Sequence, residues 1–140
     1  MQTKRIGYWI ITTTLALALL SGGFAGLIQR PENVEFMTHL GYPVYFGMII
    51  GFWKVLGGVA ILSPGFLRLK EWAYAGIFFN MTGAATSHVF AGDAAWHVVV
   101  PAAFALLAVA SWALRPSNRR HEVIAEQRED QTVGLETQNA

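Results

Sequence analysis

Lys54 is the residue most out of place. It lies inside Val44–Leu62 (VYFGMIIGFWKVLGGVAIL), a stretch with no other formal charge. A lysine at the centre of a membrane helix costs roughly 2.5–3.5 kcal/mol on insertion scales, so such a residue is a functional-site candidate by default. At 100° per residue Gly47, Gly51, Gly58 and Ile61 share its face, which predicts that the ammonium points toward another helix. It stands eight residues, about 12 Å, from the C-terminal end of the stretch. Asn80 falls at similar depth in the run that begins near Glu71, and Thr13, between Thr12 and Thr14, lies near the same level. Lys54, Asn80, Trp53 and Thr13 are therefore the intramembrane candidates. They could line a pocket in which the ammonium polarises a quinone oxygen or holds an anionic ligand. The plainer role is a lysine hydrogen-bonded by amide and hydroxyl groups, fixing helix register. No carboxylate shares this depth; Glu71 sits at an edge, on the opposite side of its helix from Asn80.

His88, His97, Asp93 and His39 form a second constellation. Two histidines flank the Gly92-Asp93 turn, each about three residues inside its apolar run. Paired histidines on neighbouring helices could ligate a b-type haem, bind a metal with Asp93, or titrate near neutral pH. Their spacing carries no metal signature, so hydrogen bonding at an interface is the expected role and no metal is expected. The chain has no cysteine. That excludes disulfides, thiolate metal sites, iron–sulfur centres, covalent haem links and thiol nucleophiles. No phosphate-cradling loop, hydrolase elbow or zinc-peptidase motif is present. No cofactor is required by these residues. A redox role would rest on quinone, on non-covalent haem or on a redox partner.

The elements that position these residues follow from composition. Of 140 residues 54% are hydrophobic and 14% charged, against about 25% charged in soluble domains. Residues 121–140 hold five acids and one arginine, leaving nine basic and four acidic residues in the first 120. So few charges cannot coat a water-soluble globule. Four segments are long and apolar enough to cross about 30 Å of hydrocarbon: residues 6–29, 44–62, 72–92 and 94–114. Helices satisfy backbone polar groups in lipid, and Pro31, Pro43, Pro64 and Pro116 fall at or beyond the ends of these segments. Pro101, inside the fourth, predicts a kink. Trp9, Trp72, Trp96 and Trp112 mark interfaces.

Lys4, Arg5, Arg68, Lys70, Arg115, Arg119 and Arg120 flank one side and only Arg30 the other, which places both termini in the cytoplasm. The apolar stretch near the N-terminus is longer than a secretory signal core, which favours an anchored helix over a cleaved leader. The reading is all-α: an integral membrane antiparallel four-helix bundle, N-in/C-in, over residues 1–115. Residues 116–140 form a cytoplasmic tail, largely disordered, with a short helix over 121–130. Gly22-x-x-x-Gly26 and Gly47-x-x-x-Gly51, with Gly58, Gly76 and Gly83, are expected at helix–helix contacts or between protomers of a homo-oligomer.

The run LGYPVYFGMIIGFWKVLGGVAILSPGFLRLKEWAYAG, followed by FFNMTGAATSHVFAGDAAW, resembles the DoxX-like family of small bacterial membrane proteins. The likeness spans about residues 5–115 and rests on Gly41-Tyr42-Pro43, Lys54 with Gly57, Pro64, Leu69 through Gly76, Ser87-His88 and Gly92-Asp93. It implies a four-helix bundle in the cytoplasmic (inner) membrane. Founding relatives are associated with a thiosulfate:quinone oxidoreductase, others with redox-defence complexes or receptor assembly. Lys54, Ser87, His88 and Asp93 match the family pattern without thereby becoming catalytic. Three functions remain open: a non-catalytic accessory or assembly component of a membrane complex, a quinone-linked oxidoreductase subunit, or small-solute binding or transport. The expected partners are the bilayer and a membrane or peripheral protein. No nucleic acid is expected.

Overall fold

The computed structural model describes residues 2–116 together with Gln131 and Gly134; the expectations for the rest of the tail fall outside the described residues. Among the described residues the fold is all-α, with five helices: α1 (Gln2–Leu27), α2 (Pro31–His39), α3 (Val44–Leu62), α4 (Leu67–Ala91) and α5 (Ala95–Leu114). Sequence expectation and structure agree on the bounds of α3 and, within a residue, on those of α5. Helix α1 begins four residues earlier than expected, and α4 starts at Leu67 rather than Trp72.

Helix α2 is an addition to the expected set. Its nine residues are too short and too polar to register as an apolar run, yet its ends carry ordinary helix signals. Pro31 opens it, Glu32 lies in its first turn and His39 in its last, each suited to the helix dipole. Gly41 then adopts φ +79°, and the chain closes with Gly41 N–H to the Thr38 carbonyl (3.0 Å) and Tyr42 N–H to the Met37 carbonyl (2.9 Å). This pair of bonds is a Schellman stop, which needs a left-handed residue at that place.

The four long helices form a ring in which α1 and α4 each pack on both α3 and α5, while α2 leans on α1 and α3. The tightest seam joins α1 to α3. A side-chain carbon on Gly51 would meet the Gly23 carbonyl oxygen at 2.6 Å, and one on Gly26 would meet the Gly47 carbonyl oxygen at 2.9 Å. Backbones this close admit only glycine. Gly58 lies farther along the same seam, against Leu20 and the Ala16 carbonyl. Of the other expected packing glycines, Gly22 has no atom within 4 Å of its absent side chain, its neighbour Gly23 taking the contact; Gly76 and Gly83 are also open.

The core is thin. Leu15, Ala16 and Leu19 of α1 meet Ile61, Tyr74, Ile77 and Ala108. A buried hydroxyl network crosses it: Ser111 Oγ lies 2.7 Å from Thr12 Oγ1 and 2.8 Å from Tyr74 Oη, tying α5 to α1 and α4. Outside, large apolar side chains face outward on every long helix, among them Trp72 (80% exposed), Phe79 (71%) and Phe90 (87%). Water would not tolerate that shell on an isolated protein, whereas hydrocarbon matches it.

Three helices, α1, α3 and α5, are long and apolar enough to cross a membrane. Helix α4 has the length but carries Asn80, Thr82, Thr86, Ser87 and His88 and does not reach the same apolarity. Its hydroxyls fold back onto their own helix: Thr82 donates to the Phe78 carbonyl, Thr86 to Thr82 and Ser87 to Gly83. Helix α5 runs through Pro101 as one element.

The seam predicts two opposite outcomes for glycine substitutions. Gly51→Leu pushes α1 and α3 apart and lowers the thermal midpoint of helix loss in detergent, at a cost of about 1–3 kcal/mol or more. Gly76→Ala meets open space and leaves the midpoint unchanged or raises it by the equivalent of about 0.5–1 kcal/mol.

Candidate functional site

Two places gather polar groups. The denser one sits where α2, α4 and α5 meet. Helix α4 ends in a second Schellman stop: Gly92, at φ +73°, donates to the Val89 carbonyl (3.2 Å), and Asp93 N–H returns to the His88 carbonyl (3.1 Å). The turn swings the Asp93 carboxylate back over the last turn of α4. There Oδ2 lies 2.6 Å from His88 Nδ1, and Oδ1 lies 2.6 Å from His39 Nε2 at the end of α2. An ionised carboxylate only accepts hydrogen bonds, so both imidazole nitrogens facing it carry protons.

His88 is buried (3% exposed), with Phe36 of α2 edge-on at 4.9 Å and His97 stacked at 5.4 Å between ring centres. His97 also lies against Trp96, and its buried Nδ1 has no hydrogen-bond partner among the described residues. Pro101, having no N–H, cannot take up the His97 carbonyl four residues before it. The imidazole bonds, first from His88 and then from His39, hold the Asp93 carboxyl below the usual carboxylate range. All four residues of the second constellation, His39, His88, Asp93 and His97, thus come together. Among the described residues no group of three or more histidine or acidic side chains is arranged to hold a metal ion. Chemically, the carboxylate clasps two helix C-termini, and nearby Tyr42 Oη bonds Ser87 Oγ (2.8 Å) to join the corner after α2 to α4.

The second place surrounds Lys54. A cavity of about 110 Å³ lies beneath α2, with Lys54, Gln29 and Asn33 as its polar lining and Gly26, Gly47 and Gly51 among its walls. Asn80 is not part of this lining, Thr13 is exposed on α1, and Trp53 points away at 63% exposed. The expected grouping of Lys54 with Asn80, Trp53 and Thr13 is therefore replaced by one with α1 and α2. The cause is the glycine seam, which turns the Lys54 face toward α1; the Lys54 Cβ is 3.0 Å from where a Gly23 side-chain carbon would be. Sequence reasoning missed Asn33 and Gln29 because they belong to α2 and to the turn before it. The start and stop signals at Pro31 and Gly41 were the available clue.

At the opposite end of the helices from Asp93, Glu71 pairs with Arg115 and accepts a hydrogen bond from Trp112 Nε1 at 2.7 Å, so α4 and α5 are tied at both ends.

Comparison with known proteins agrees with the resemblance seen in the sequence. The profile of the DoxX-like family matches residues 10–111, and the chain belongs to that family. It is similar to the uncharacterized protein YdgD of Bacillus subtilis (strain 168), with 29% identity over 83 residues, covering 58% of this chain and 72% of that protein. No solved structure matches it.

The clasp predicts a definite pH response. Asp93 titrates lower in the folded protein than the roughly 3.9 of a free aspartate, so its stabilisation is full above that value and is lost as pH falls through the lower, native one. Asp93→Asn lowers the thermal midpoint at neutral pH, and the gap from the unsubstituted protein closes on acidification below about pH 4. A gap that stays constant down to pH 2 would contradict the clasp.

Proposed function

We propose that this chain is a multi-pass protein of the bacterial cytoplasmic (inner) membrane, with α1, α3, α4 and α5 crossing as an antiparallel four-helix bundle and both termini in the cytoplasm. Its role is that of a non-catalytic accessory or assembly component of a membrane complex. The placement of α4 as the fourth span draws support from its length, 25 residues or about 37 Å, and from the back-bonding of its hydroxyls. Orientation draws support from the gathering of Lys4, Arg5, Arg68, Lys70 and Arg115 toward one end, where the start of α1 meets the end of α5 beside Gly7 and Leu114. Cytoplasmic flanks collect basic residues.

The observation that carries the accessory role is the outer face of α4. Trp72, Gly76, Phe79, Gly83, Thr86 and Phe90 recur at alternating four- and three-residue steps, large beside small, and all are exposed. At Gly23, Gly26 and Gly51 a neighbouring backbone fills the notch, but at Gly76 and Gly83 nothing lies within 4 Å. Around Gly83 this face opens into a groove bounded by Tyr42 and His39 at the corner after α2. Lipid tails fill such notches poorly, while a transmembrane helix of a partner protein fits them by close backbone approach.

A quinone-linked subunit is less well supported, because the aromatic and amide groups it would use beside Lys54 lie apart. Trp53 faces outward and Asn80 is outside the cavity lining.

Gentle solubilisation of native membranes should recover a second membrane protein in stoichiometric amount. Gly83→Leu, whose first added carbon has no atom of the chain within 4 Å, should leave the thermal midpoint intact and abolish that recovery. Recovery of only the lone chain or its homo-oligomer from unsubstituted membranes overturns the proposal.

A further inference from the structure

The geometry points to a binding site for a single oxyanion group, a carboxylate or phosphate, in the cavity beneath α2, held by the Lys54 ammonium and the Asn33 amide. Four glycines, Gly22, Gly26, Gly47 and Gly51, line the cavity on α1 and α3, and side chains of α2, among them Asn33 and Met37, line it from the other side. Its volume, about 110 Å³, exceeds that of one water several times over and suits a compact polar head.

The polar lining is one-sided. Lys54 offers an ammonium, while Asn33 and Gln29 offer amide N–H groups; the Gln29 Nε2 is turned to the Met48 sulfur at 3.0 Å. No carboxylate lines the cavity, and Glu32 and Glu35 of α2 are exposed outside it. Neither Lys54 nor Asn33 has a side-chain hydrogen bond or ion pair among the described residues. Long side chains on a helix lean toward its N-terminus, a direction that takes Lys54 toward Gly51 and α2, and Lys54, Gly51 and Asn33 all line the cavity. A cation sheltered by apolar helices and left without an anion is poorly compensated, and an oxyanion with two acceptor atoms satisfies both donors at once. Helix α2 covers the cavity from the end of the protein remote from the basic flanks. The group can therefore be the head of a lipid or fatty acid in that leaflet, or a free anion from solution.

Thermal midpoints of the purified full chain in dodecyl maltoside, measured with added sodium phosphate, with sodium oleate and with a sodium chloride control, test this. The isolated protein is used, so failure here leaves the docking of a partner on α4 untouched. A saturable rise with oleate alone identifies a lipid-borne head, and a rise with phosphate identifies a free anion. Either rise should vanish in Lys54→Met and persist in Lys54→Arg, and Asn33→Leu should raise the apparent Kd about tenfold or more. If Lys54→Met does not fold, the Asn33→Leu shift decides alone. No rise with either probe in the unsubstituted protein, or rises unaltered by these substitutions, overturn the site.

Discussion

The contact between Gly23 and Gly26 of α1 and Gly47 and Gly51 of α3 governs most of what surrounds it. Two helix backbones meet there without side chains between them, a packing mode that draws on close van der Waals fit rather than on burial from water. The seam sets the rotation of α3 and with it the direction of Lys54. It leaves an unfilled space next to itself, and the chain between α1 and α3 closes over that space as α2. The remaining two helices pack on this pair, α5 tied to α1 by the Thr12–Ser111 hydroxyl contact and α4 tied to α5 by Tyr74–Ser111.

Helix α4 differs in kind from the others. It is the most polar of the long helices, yet most of that polarity is spent internally, on its own carbonyls or on the clasp at its end. What it presents outward is apolar and notched. On the proposed reading, that face is the part of the molecule offered for assembly, distinct from the seam and core that hold the fold.

Much of this was legible in the sequence, and the exceptions have physical causes. Apolar length alone located α1, α3 and α5, because hydrocarbon thickness dictates it. His88, Asp93 and His97 come together because the tight turn between α4 and α5 brings the ends of those two helices side by side, and His39 joins them from the end of α2. Lys54 was matched by depth to α4, but depth does not say which helix a face meets. Gly22 and Gly23 show the same limit on a smaller scale: adjacent residues point 100° apart, and only the partner helix selects between them. The Thr12–Ser111–Tyr74 network joins residues far apart in the chain, with no local pattern to announce it.

The double tie between α4 and α5 bears on how such a chain enters a bilayer. On the four-span reading α4 is costly to insert alone, since Asn80 and the buried His88 would meet lipid before meeting protein. Fastened to α5 by Glu71 at one end and by the Gly92-Asp93 turn at the other, it can partition as a helical hairpin whose apolar arm carries the polar one. With both termini in the cytoplasm, as proposed, only the short turn has to be translocated, its single carboxylate already bonded to a histidine. On that reading the histidine clasp serves insertion as well as the finished fold, the His88–Asp93 contact lying within the hairpin and the His39 contact reaching it from α2.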